Sequence, residues 1–557
     1  MASPQNGFTH TTSPVPASGD VLLDSLTGDY KAGGVVGTGA ILSYSFPWST
    51  SAFASWATDP NYSPLNEPAL GFALNPMQQA AFRSALSTWS QVANLQFVEV
   101  PDNPGAVGDI RIAWTALPNP PSDAWTWQSD DFWASASDIW LSDALMGGQP
   151  DSEWQAGGFN FMALIHEVGH SLWLEHPFEG SSPMPATYDT NQYTVMSYTE
   201  HPNYLFVRYH PAVLEPDGST TVSWDVVPIY PSTPMLLDIA AIQRLYGANM
   251  NWHTGDDVYA FNPDTPFIMT LWDAGGVDTI SASNFSTNCL IDLREGHYSS
   301  LHIFSDPSIT GLANPPVVPA TPNDYDGTDN LAIAWGAVFE NAVGGAGDDK
   351  LIGNGVANQL MGGGGTDILE GGQGIDTSLF KGTRGQFHLT KTAPNCWSAQ
   401  DTLGLEGIDL LHDVERLQFA DKKLALDLSP SEHAGQSLEF LGVLAPAAIS
   451  NPMIVGLILG LFDQGSSLHD VFQLAIDVNL VSQLAGSGSN ADLARLAFRN
   501  IVGAEADATT LDILVSFIDG RSASYSQSDF LTVVAGMEVN QTHIGLIGWQ
   551  QTGIEYV

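Results

Sequence analysis

Cysteine and basic residues are the side chains that this sequence most lacks. Its 557 residues include two cysteines, Cys289 and Cys396, so a disulfide framework and a thiolate zinc cluster are excluded, and whether the two form one bridge stays open. Lys and Arg number 16 against 61 Asp and Glu, a formal net charge of −45. Because nucleic acids and anionic membranes bind basic surfaces, we expect neither as a partner.

Long apolar runs are also missing. The most apolar stretch, Leu438 to Phe462, contains Glu439, two prolines and several glycines, which argues against a membrane span. The first basic residue is Lys31, and no apolar segment precedes it, so we expect no Sec-type signal peptide. If the protein leaves the cell, another route must carry it.

Changes in composition divide the chain into four segments. Residues 1–20, rich in Ser, Thr, Pro and Gly, are typical of a flexible leader or a propeptide-like segment. Residues 21–245 mix helical and strand patterns, 246–430 are rich in Gly, Asp and short strands, and 431–557 return to helical spacing. We interpret these as an α+β domain, a repeat domain and a mostly helical C-terminal module of a multidomain protein.

Within residues 21–245, four elements can be predicted. Asn75-Pro76 is an N-cap followed by a first-turn proline, and it predicts a helix that gives way to a strand over Leu95–Val100. Alternating apolar residues predict a second strand over Asp109–Trp114. An apolar stripe at helical spacing predicts a helix over Phe159–Leu172.

The motif HEVGHSLWLEH, from His166 to His176, carries the chemistry. His166 and His170 are four residues apart, so both imidazoles project from one helix face toward one metal ion. Glu167 is placed to deprotonate a water at the metal rather than to bind it. His176 supplies a third ligand if the helix ends and the chain turns, which leaves a fourth position of zinc open, as in catalytic sites. A surface helix with chance histidines is the alternative, and the third histidine disfavours it.

Four consecutive nonapeptides begin at Gly344, Gly353, Gly362 and Gly371 and approximate GGxGxDxUx, where U is a large apolar residue. This pattern is typical of a parallel β-roll in which glycine turns and an Asp hold calcium. A flexible glycine-rich linker would not keep Leu351, Leu360 and Leu369 in a nine-residue register. The second repeat is degenerate, with Asn358 in place of Asp. The predicted calcium ligands are Gly345, Gly347, Asp349, Gly362, Gly364, Asp367 and Asp376.

HExxHxxxxxH followed by TVMSY, which contains Met196 and Tyr198, resembles the metzincin zinc site with its Met-turn, and specifically the serralysin family. The segments Leu22–Pro47 and Leu236–Asn249 resemble the serralysin entry strand and the helix that closes its protease domain. TGDDVYAF, WDAGGVDTI and FENAVGGAGDD resemble its calcium-binding linker and repeats. The resemblance covers roughly residues 22–380.

This resemblance implies a secreted, extracellular bacterial endopeptidase that acts on protein or peptide substrates. One catalytic Zn²⁺ would be bound by His166, His170 and His176, with Glu167 as general base. Tyr198 would be a movable fourth zinc ligand that stabilises the oxyanion, and Met196 the hydrophobic floor under the metal.

The resemblance also implies several structural Ca²⁺ ions and export through a type I secretion apparatus, which would fit the missing N-terminal signal. The high acidity then reflects ligands for hard cations rather than a merely solvated surface. We expect a monomer. The further calcium ligands implied in the linker are Gly255, Asp257, Asp273, Gly275, Gly276, Asp278 and Glu340.

One position departs from the family pattern. Trp173 stands three residues after His170, where the family has glycine for a left-handed turn. Either the strain of a left-handed tryptophan is tolerated, or the loop reaches His176 by another path. A weakened zinc site would favour the alternative function, a calcium-dependent surface or adhesion protein with a weak or narrow-specificity processing protease site.

Overall fold

A computed structural model describes residues 12–48, 62–102, 107–127, 136–180 and 182–557. The predicted leader therefore lies outside the described residues over positions 1–11. Packing divides the chain into two compact units, one of Met1–Thr279 with Ile291–Phe339, and one of Ile280–Leu290 with Glu340–Val557. Residues 246–279 thus pack within unit 1, and the helical segment 431–557 packs within unit 2 together with the repeats.

The helices of the described residues are α1 (Val21–Asp24), α2 (Pro76–Val92), α3 (Asp143–Met146), α4 (Phe159–Ser171), α5 (Leu236–Tyr246), α6 (His433–Leu444), α7 (Pro452–Asp463), α8 (Leu468–Asp477), α9 (Leu480–Ala485), α10 (Asn490–Val502), α11 (Ala508–Ile518), α12 (Gln527–Ala535), α13 (Glu538–His543) and α14 (Leu546–Thr552). Short 3-10 turns cover Glu67–Leu70, Asp151–Trp154, Pro307–Thr310, Arg384–Gln386 and Pro446–Ser450. Among the described residues, no helix combines the length and the apolar character needed to cross a bilayer.

The strands up to residue 271 are β1 (Thr12–Pro14), β2 (Tyr30–Ala32), β3 (Ala40–Ser45), β4 (Gly71–Phe72), β5 (Leu95–Glu99), β6 (Ile110–Thr115), β7 (Ala124–Thr126), β8 (Asp138–Ser142), β9 (Leu205–Tyr209), β10 (Val213–Leu214), β11 (Thr220–Thr221), β12 (Trp224–Pro228), β13 (Val258–Ala260) and β14 (Met269–Leu271). The remaining strands are β15 (Thr279–Ser281), β16 (Cys289–Asp292), β17 (Tyr298–Leu301), β18 (Leu331–Ile333), β19 (Asn341–Val343), β20 (Lys350–Ile352), β21 (Gln359–Met361), β22 (Ile368–Glu370), β23 (Thr377–Leu379), β24 (Phe387–Ala393), β25 (Cys396–Asp401), β26 (Ile408–His412), β27 (Arg416–Gln418), β28 (Lys423–Ala425) and β29 (Ile554–Tyr556).

The principal sheet of unit 1 has the strand order β5-β3-β6-β8-β7, and β4 pairs with β6. Strands β3, β5, β6 and β8 run parallel, whereas β7 is antiparallel to β8. The predicted helix after Asn75 is confirmed, because the Asn75 side chain accepts from Gln78 N and the Gln78 side chain accepts from Asn75 N. On α2, the indole of Trp89 donates to Ile165 O on α4 at 3.1 Å, which ties the two helices together.

The expected flexibility of residues 12–20 is wrong. Strand β1 pairs antiparallel with β2, with Thr12 opposite Ala32 and Pro14 opposite Tyr30. The side chain of Asp20 then caps α1 by accepting from Leu22 N at 2.9 Å. Backbone pairing and a cap therefore order a segment whose composition alone is typical of a linker.

Unit 2 contains a parallel β-roll. Successive short strands alternate between two sheets, so β19, β21, β23 and β27 pair in one sheet and β20, β22 and β26 pair in the other. Leu351, Leu360 and Leu369 are fully buried, which confirms the predicted inward register. Cys289 and Cys396 are not joined by a disulfide bond.

The helical segment is joined to the roll within unit 2. The last strand, β29, pairs antiparallel with β28, which itself pairs with β27 of the roll. The buried guanidinium of Arg416, on β27, contacts Asp427 and lies 2.7 Å from Asp463 at the end of α7. Strand pairing and a buried ion pair therefore explain why residues 431–557 and the roll form one compact unit.

Candidate active site

Helix α4 places His166 and His170 on consecutive turns, with Glu167 next to His166, and then ends in a tight reversal. Trp173 N donates to His170 O at 3.0 Å, and Leu174 N donates to Gly169 O at 2.9 Å. These two hydrogen bonds define a Schellman motif, whose turn position adopts a left-handed conformation. The reversal brings His176 back toward the helix.

Trp173 occupies the left-handed position, with a φ of 71°. Of the two alternatives that the sequence left open, the chain adopts the strained, left-handed conformation of Trp173. The indole packs against Tyr30 with 5.9 Å between ring centroids, and Trp173 O accepts from Gly28 N at 3.0 Å. These contacts offset a conformational cost of about 1 kcal/mol.

The three histidine side chains converge on one point. The Nε2 atoms of His166, His170 and His176 lie 3.0–3.3 Å from one another. His166 Nδ1 donates to Val195 O at 2.7 Å, and His170 Nδ1 donates to Leu174 O at 2.8 Å. A carbonyl oxygen can only accept, so the proton is on Nδ1 and the Nε2 lone pairs of these two rings point inward.

This donor set fits zinc. Converging lone pairs repel one another unless a cation lies among them, and tetrahedral zinc bound at about 2.0–2.1 Å separates its nitrogen ligands by about 3.3 Å. Burial lowers the pKa of His166 to about 4 and also lowers the pKa values of His170 and His176. The rings are therefore neutral at physiological pH, which is the form that binds metals.

A buried carboxylate that the sequence analysis missed acts on His166 indirectly, through the main chain. Asp238, on α5, accepts from Thr194 Oγ1 at 2.5 Å and from Val195 N at 2.8 Å. It thereby holds the main chain at Val195, the residue whose carbonyl oxygen accepts from His166. The only feature of the sequence that could have indicated this role is an aspartate within an apolar helix.

Met196 is fully buried beneath the histidine helix. A Cβ at Gly169 would lie 2.7 Å from Met196 Sδ, so glycine at this position permits the close approach of the methionine. This placement is compatible with the floor expected from the resemblance.

Glu167 is buried next to the three rings. Thr126 Oγ1, on the edge strand β7, donates to Glu167 Oε2 at 2.6 Å and lies 3.0 Å from Glu167 O. Burial raises the pKa of Glu167 to about 7, and the hydrogen bond from Thr126 opposes that rise. A carboxyl group with this pKa can both accept and return a proton near neutrality. Thr126 was not singled out from the sequence.

A cavity of about 290 Å³ opens beside Glu167 and His166. Tyr198 is 64% exposed and stands at its margin, with 4.7 Å between the centroids of its ring and that of His176. The other lining residues are Ser122, Asp123, Ala124, Phe159, Met162, Ala163, Asn191, Ser197, Glu200 and Tyr230.

The predicted repeat ligands fall on two edges of the roll. Turns 344–349 and 362–367 stack on the first edge, where Asp349 N donates to Asp367 Oδ1 at 2.8 Å. Turns 353–358 and 371–376 stack on the second edge, where Asn358 N donates to Asp376 Oδ1 at 2.7 Å. Asp376 therefore lies beside Asn358 and not in line with Asp349 and Asp367. Burial raises the pKa values of all three aspartates to about 6.

The predicted glycines form the turns of the first edge. Gly345 N donates to Asp349 Oδ2 at 2.6 Å, and Gly345 O accepts from Gly364 N at 2.9 Å. A Cβ at Gly362 would lie 2.2 Å from Asp367 Oδ2, and one at Gly347 would lie 2.5 Å from the carbonyl carbon of Thr287. The turns thus have no space for side chains next to the carboxylates.

The linker residues expected to bind calcium also lie together, in unit 1. Asp257 N donates to Asp278 Oδ1 at 2.8 Å, and a Cβ at Gly276 would lie 2.1 Å from Gly255 O. Asp273 Oδ1 accepts from Gly275 N at 2.9 Å. His253, which sequence reasoning missed, contributes its Nδ1 at 2.9 Å from Asp257 Oδ2.

Glu340 directly precedes β19 in unit 2 and makes its contacts with the repeats through its main chain. Its carbonyl oxygen accepts from Gln359 N at 3.0 Å and from Asn358 Nδ2 at 3.1 Å.

Comparison with known families agrees with this geometry. The family profile described as Matrixin matches residues 66–200, which contain five of the six strands of the sheet, α4 and the three histidines. The profile described as Peptidase M10 serralysin C terminal matches residues 237–307 and 323–425. The chain is serralysin-like. Its matrixin domain and its serralysin C-terminal domain confirm the resemblance and the predicted fold class.

Three relatives are named as serralysins. The serralysin of Proteus mirabilis is 31% identical over 356 residues, which is 58% of this chain and 60% of the relative. That of Photorhabdus laumondii is 30% identical over 314 residues, 51% of this chain and 54% of the relative. Serralysin C of Dickeya chrysanthemi is 31% identical over 342 residues, 57% of this chain and 60% of the relative. The chain thus spans less than two thirds of the length of each.

The left-handed conformation of Trp173 predicts that glycine is more stabilising than alanine at this position, which is the reverse of their usual order inside a helix. Trp173→Gly and Trp173→Ala both lose the ring contact with Tyr30, but only glycine takes a positive φ without steric cost. In zinc-loaded protein, we expect Trp173→Gly to be more stable than Trp173→Ala by about 1 kcal/mol, measured by urea unfolding. At the exposed position Ser87, inside α2, the order should reverse, with alanine the more stable. Equal stabilities at position 173 would contradict the left-handed turn.

Proposed function

We propose that this chain is a zinc-dependent endopeptidase that hydrolyses peptide bonds of extracellular proteins. The observation that carries the proposal is the convergence of three imidazole Nε2 atoms, 3.0–3.3 Å apart, beside a buried carboxylate in an open cavity. Three neutral nitrogens and one open position are typical of catalytic rather than structural zinc sites.

His166, His170 and His176 would hold the zinc ion. When bound, zinc lowers the pKa of water and polarises the scissile carbonyl group. The hydrogen bonds from His166 to Val195 O and from His170 to Leu174 O keep the rings oriented toward the metal. Trp173 does not displace His176, so nothing in the geometry favours the weakened site of a surface or adhesion protein.

Glu167 would act as the general base and then as the general acid. Its carboxylate accepts a proton from the attacking water and returns it to the amine of the leaving peptide. Thr126 restricts the orientation of that carboxylate through the 2.6 Å hydrogen bond to Oε2. Tyr198, at the margin of the cavity, would donate a hydrogen bond to the oxyanion or act as a movable zinc ligand.

The substrate would be a protein or peptide bound in an extended conformation. Within the part of the sheet that the structure describes, β7 pairs only with β8, so its other edge carries backbone groups available to an added strand. Ala124, on β7, also lines the cavity next to Glu167. An extended peptide along β7 would therefore pass directly over the catalytic carboxylate.

The repeats would bind structural calcium through Asp349, Asp367 and Asp376, and the linker would bind it through Asp257, Asp273 and Asp278. Buried or stacked carboxylates of this kind require a cation to remain charged together. We further propose that folding follows export, through a type I secretion apparatus, into a medium with millimolar calcium.

The proposed base predicts the effect of Glu167→Ala. The variant should keep its zinc, because the three imidazoles remain, yet lose at least about 10²-fold in peptidase activity, because no group accepts the proton of water. Casein hydrolysis measured beside zinc content by metal analysis tests both statements. Wild-type turnover in a zinc-loaded variant would refute the mechanism.

A second substitution separates the roles of Tyr198. If its hydroxyl stabilises the oxyanion, Tyr198→Phe should lower kcat by an amount equivalent to about 2–4 kcal/mol and leave KM nearly unchanged. Steady-state kinetics with a fluorogenic peptide measure both constants. A change in KM alone would instead identify Tyr198 as a residue that binds substrate.

Calcium should control the folding of the roll. Without a cation, repulsion between neighbouring buried carboxylates opposes the strand pairing that buries the inner leucines. Circular dichroism should show β-structure forming cooperatively between about 10⁻⁴ and 10⁻³ M calcium. Asp367→Ala should raise the midpoint, whereas Glu370→Gln, on the roll surface, should not. A spectrum independent of calcium would show that the repeats need no cation.

A further inference from the structure

The side chains of the edge strand β7 alternate between the two faces of the sheet. Thr126 lies on the face that packs against α4, where its hydroxyl group holds Glu167. Trp125 and Trp127, the residues on either side of it, therefore lie on the opposite face, where they pack against the buried cluster around Trp140. A contact that fixes the two indoles also fixes the orientation of Thr126, because neighbouring side chains of one strand share its backbone.

One buried carboxyl group accepts hydrogen bonds from both indoles. The indole N–H groups of Trp125 and Trp127 donate to the same atom, Glu67 Oε1, at 3.1 and 2.7 Å. The second oxygen, Oε2, accepts from Ser63 Oγ. Glu67 is fully buried, and a carboxyl group removed from water is costly unless it is hydrogen-bonded. The side chain of Glu67 therefore ties the edge strand to the segment that covers this face of the sheet.

Glu67 is itself anchored to an interior strand. Its carbonyl oxygen accepts from Thr115 Oγ1, on β6, at 3.1 Å, and Leu70 O, at the end of the same 3-10 turn, accepts from Ala116 N at 3.0 Å. Strand β6 is hydrogen-bonded to β3 on one side and to β8 on the other, whereas β7 pairs only with β8 in the described part of the sheet. The contacts thus run from an interior strand through Glu67 to the edge strand.

We propose that Glu67 is a positioning residue for peptide hydrolysis. It holds β7 so that Thr126 orients Glu167 and the outer edge of the strand receives an extended substrate. This inference rests on the proposed function. An edge strand that is ordered before the substrate binds removes the free-energy cost of ordering it on binding. A displacement of about 1 Å can reduce a rate by about 10²-fold, so a residue that touches neither metal nor substrate can affect catalysis.

Substitution of Glu67 tests this role. Glu67→Leu removes the acceptor of both indoles, whereas Glu67→Gln keeps an oxygen with two lone pairs that can still accept from both. We expect Glu67→Leu to raise KM for an extended fluorogenic peptide and to lower kcat/KM by about 10–10²-fold. Glu67→Gln should recover most of that loss. The matched control is Glu99→Leu, which removes a carboxylate from β5 at the opposite edge of the same sheet and should keep the wild-type constants.

A count of active sites separates positioning from loss of folded enzyme. A substitution that only destabilises the fold lowers the concentration of active enzyme and with it the apparent kcat, but it leaves KM unchanged. The active sites of each variant would therefore be titrated with a tight-binding hydroxamate inhibitor, and zinc content would be measured on the same samples. The rise in KM and the loss of kcat/KM should persist per titrated site.

Unchanged kcat and KM per active site in Glu67→Leu would overturn the inference, and so would an equal loss in Glu99→Leu. A wild type without peptidase activity would instead refute the proposed function, on which this inference rests. If Glu67→Leu does not fold, the double variant Trp125→Phe/Trp127→Phe removes the two donors and keeps both apolar rings. It should show the same rise in KM, and wild-type kinetics in that variant would overturn the inference.

Discussion

Groups that repel one another lie together in several described parts of this chain, and a cation bound among them would relieve the repulsion. At the end of α4, the imidazole Nε2 atoms lie 3.0–3.3 Å apart with the protons of His166 and His170 directed outward to carbonyl groups. In the roll, the buried carboxylates of Asp349 and Asp367 lie on stacked turns of one edge. The turn after α4 and the stacking of the glycine turns both serve these arrangements.

The chemistry of the donors separates the two kinds of metal. Neutral imidazoles suit zinc, and the low pKa that burial imposes on His166 keeps the ring neutral. Carboxylate and carbonyl oxygens suit calcium, and the glycine turns bring those oxygens together without side chains in between. The proposed catalytic and structural cations would therefore differ in the donor atoms that bind them.

The polar groups that hold His166 and Glu167 are distant from them in sequence and specific in their contacts. Asp238, on α5, holds the peptide of Val195, and Val195 O in turn receives His166. Thr126, on the edge strand, holds Glu167. A carboxylate oriented from β7 and an imidazole oriented through α5 meet on α4, so the fold would align the proposed base with the proposed metal.

Local chemistry in the sequence determined much of this protein. The spacing of His166 and His170 needs only a helix, the cap at Asn75 needs only three following residues, and the inward leucines need only a nine-residue period. Each of these depends on neighbours within a turn or two of the chain, so a pattern can report it. Composition alone misjudged residues 12–20, because β1 is ordered by pairing with β2 and not by its own residues.

The tertiary structure decided what no local pattern encodes. Trp173 takes a left-handed conformation that its residue type disfavours, because the Schellman turn and the contact with Tyr30 outweigh the local cost. Thr126 and Asp238 act through contacts with residues far along the chain. Strand β26 pairs with β22 of the roll only because the chain returns to it after β24 and β25, which breaks the nine-residue period. Long-range contacts depend on how the chain folds back, and that information is spread over the whole sequence.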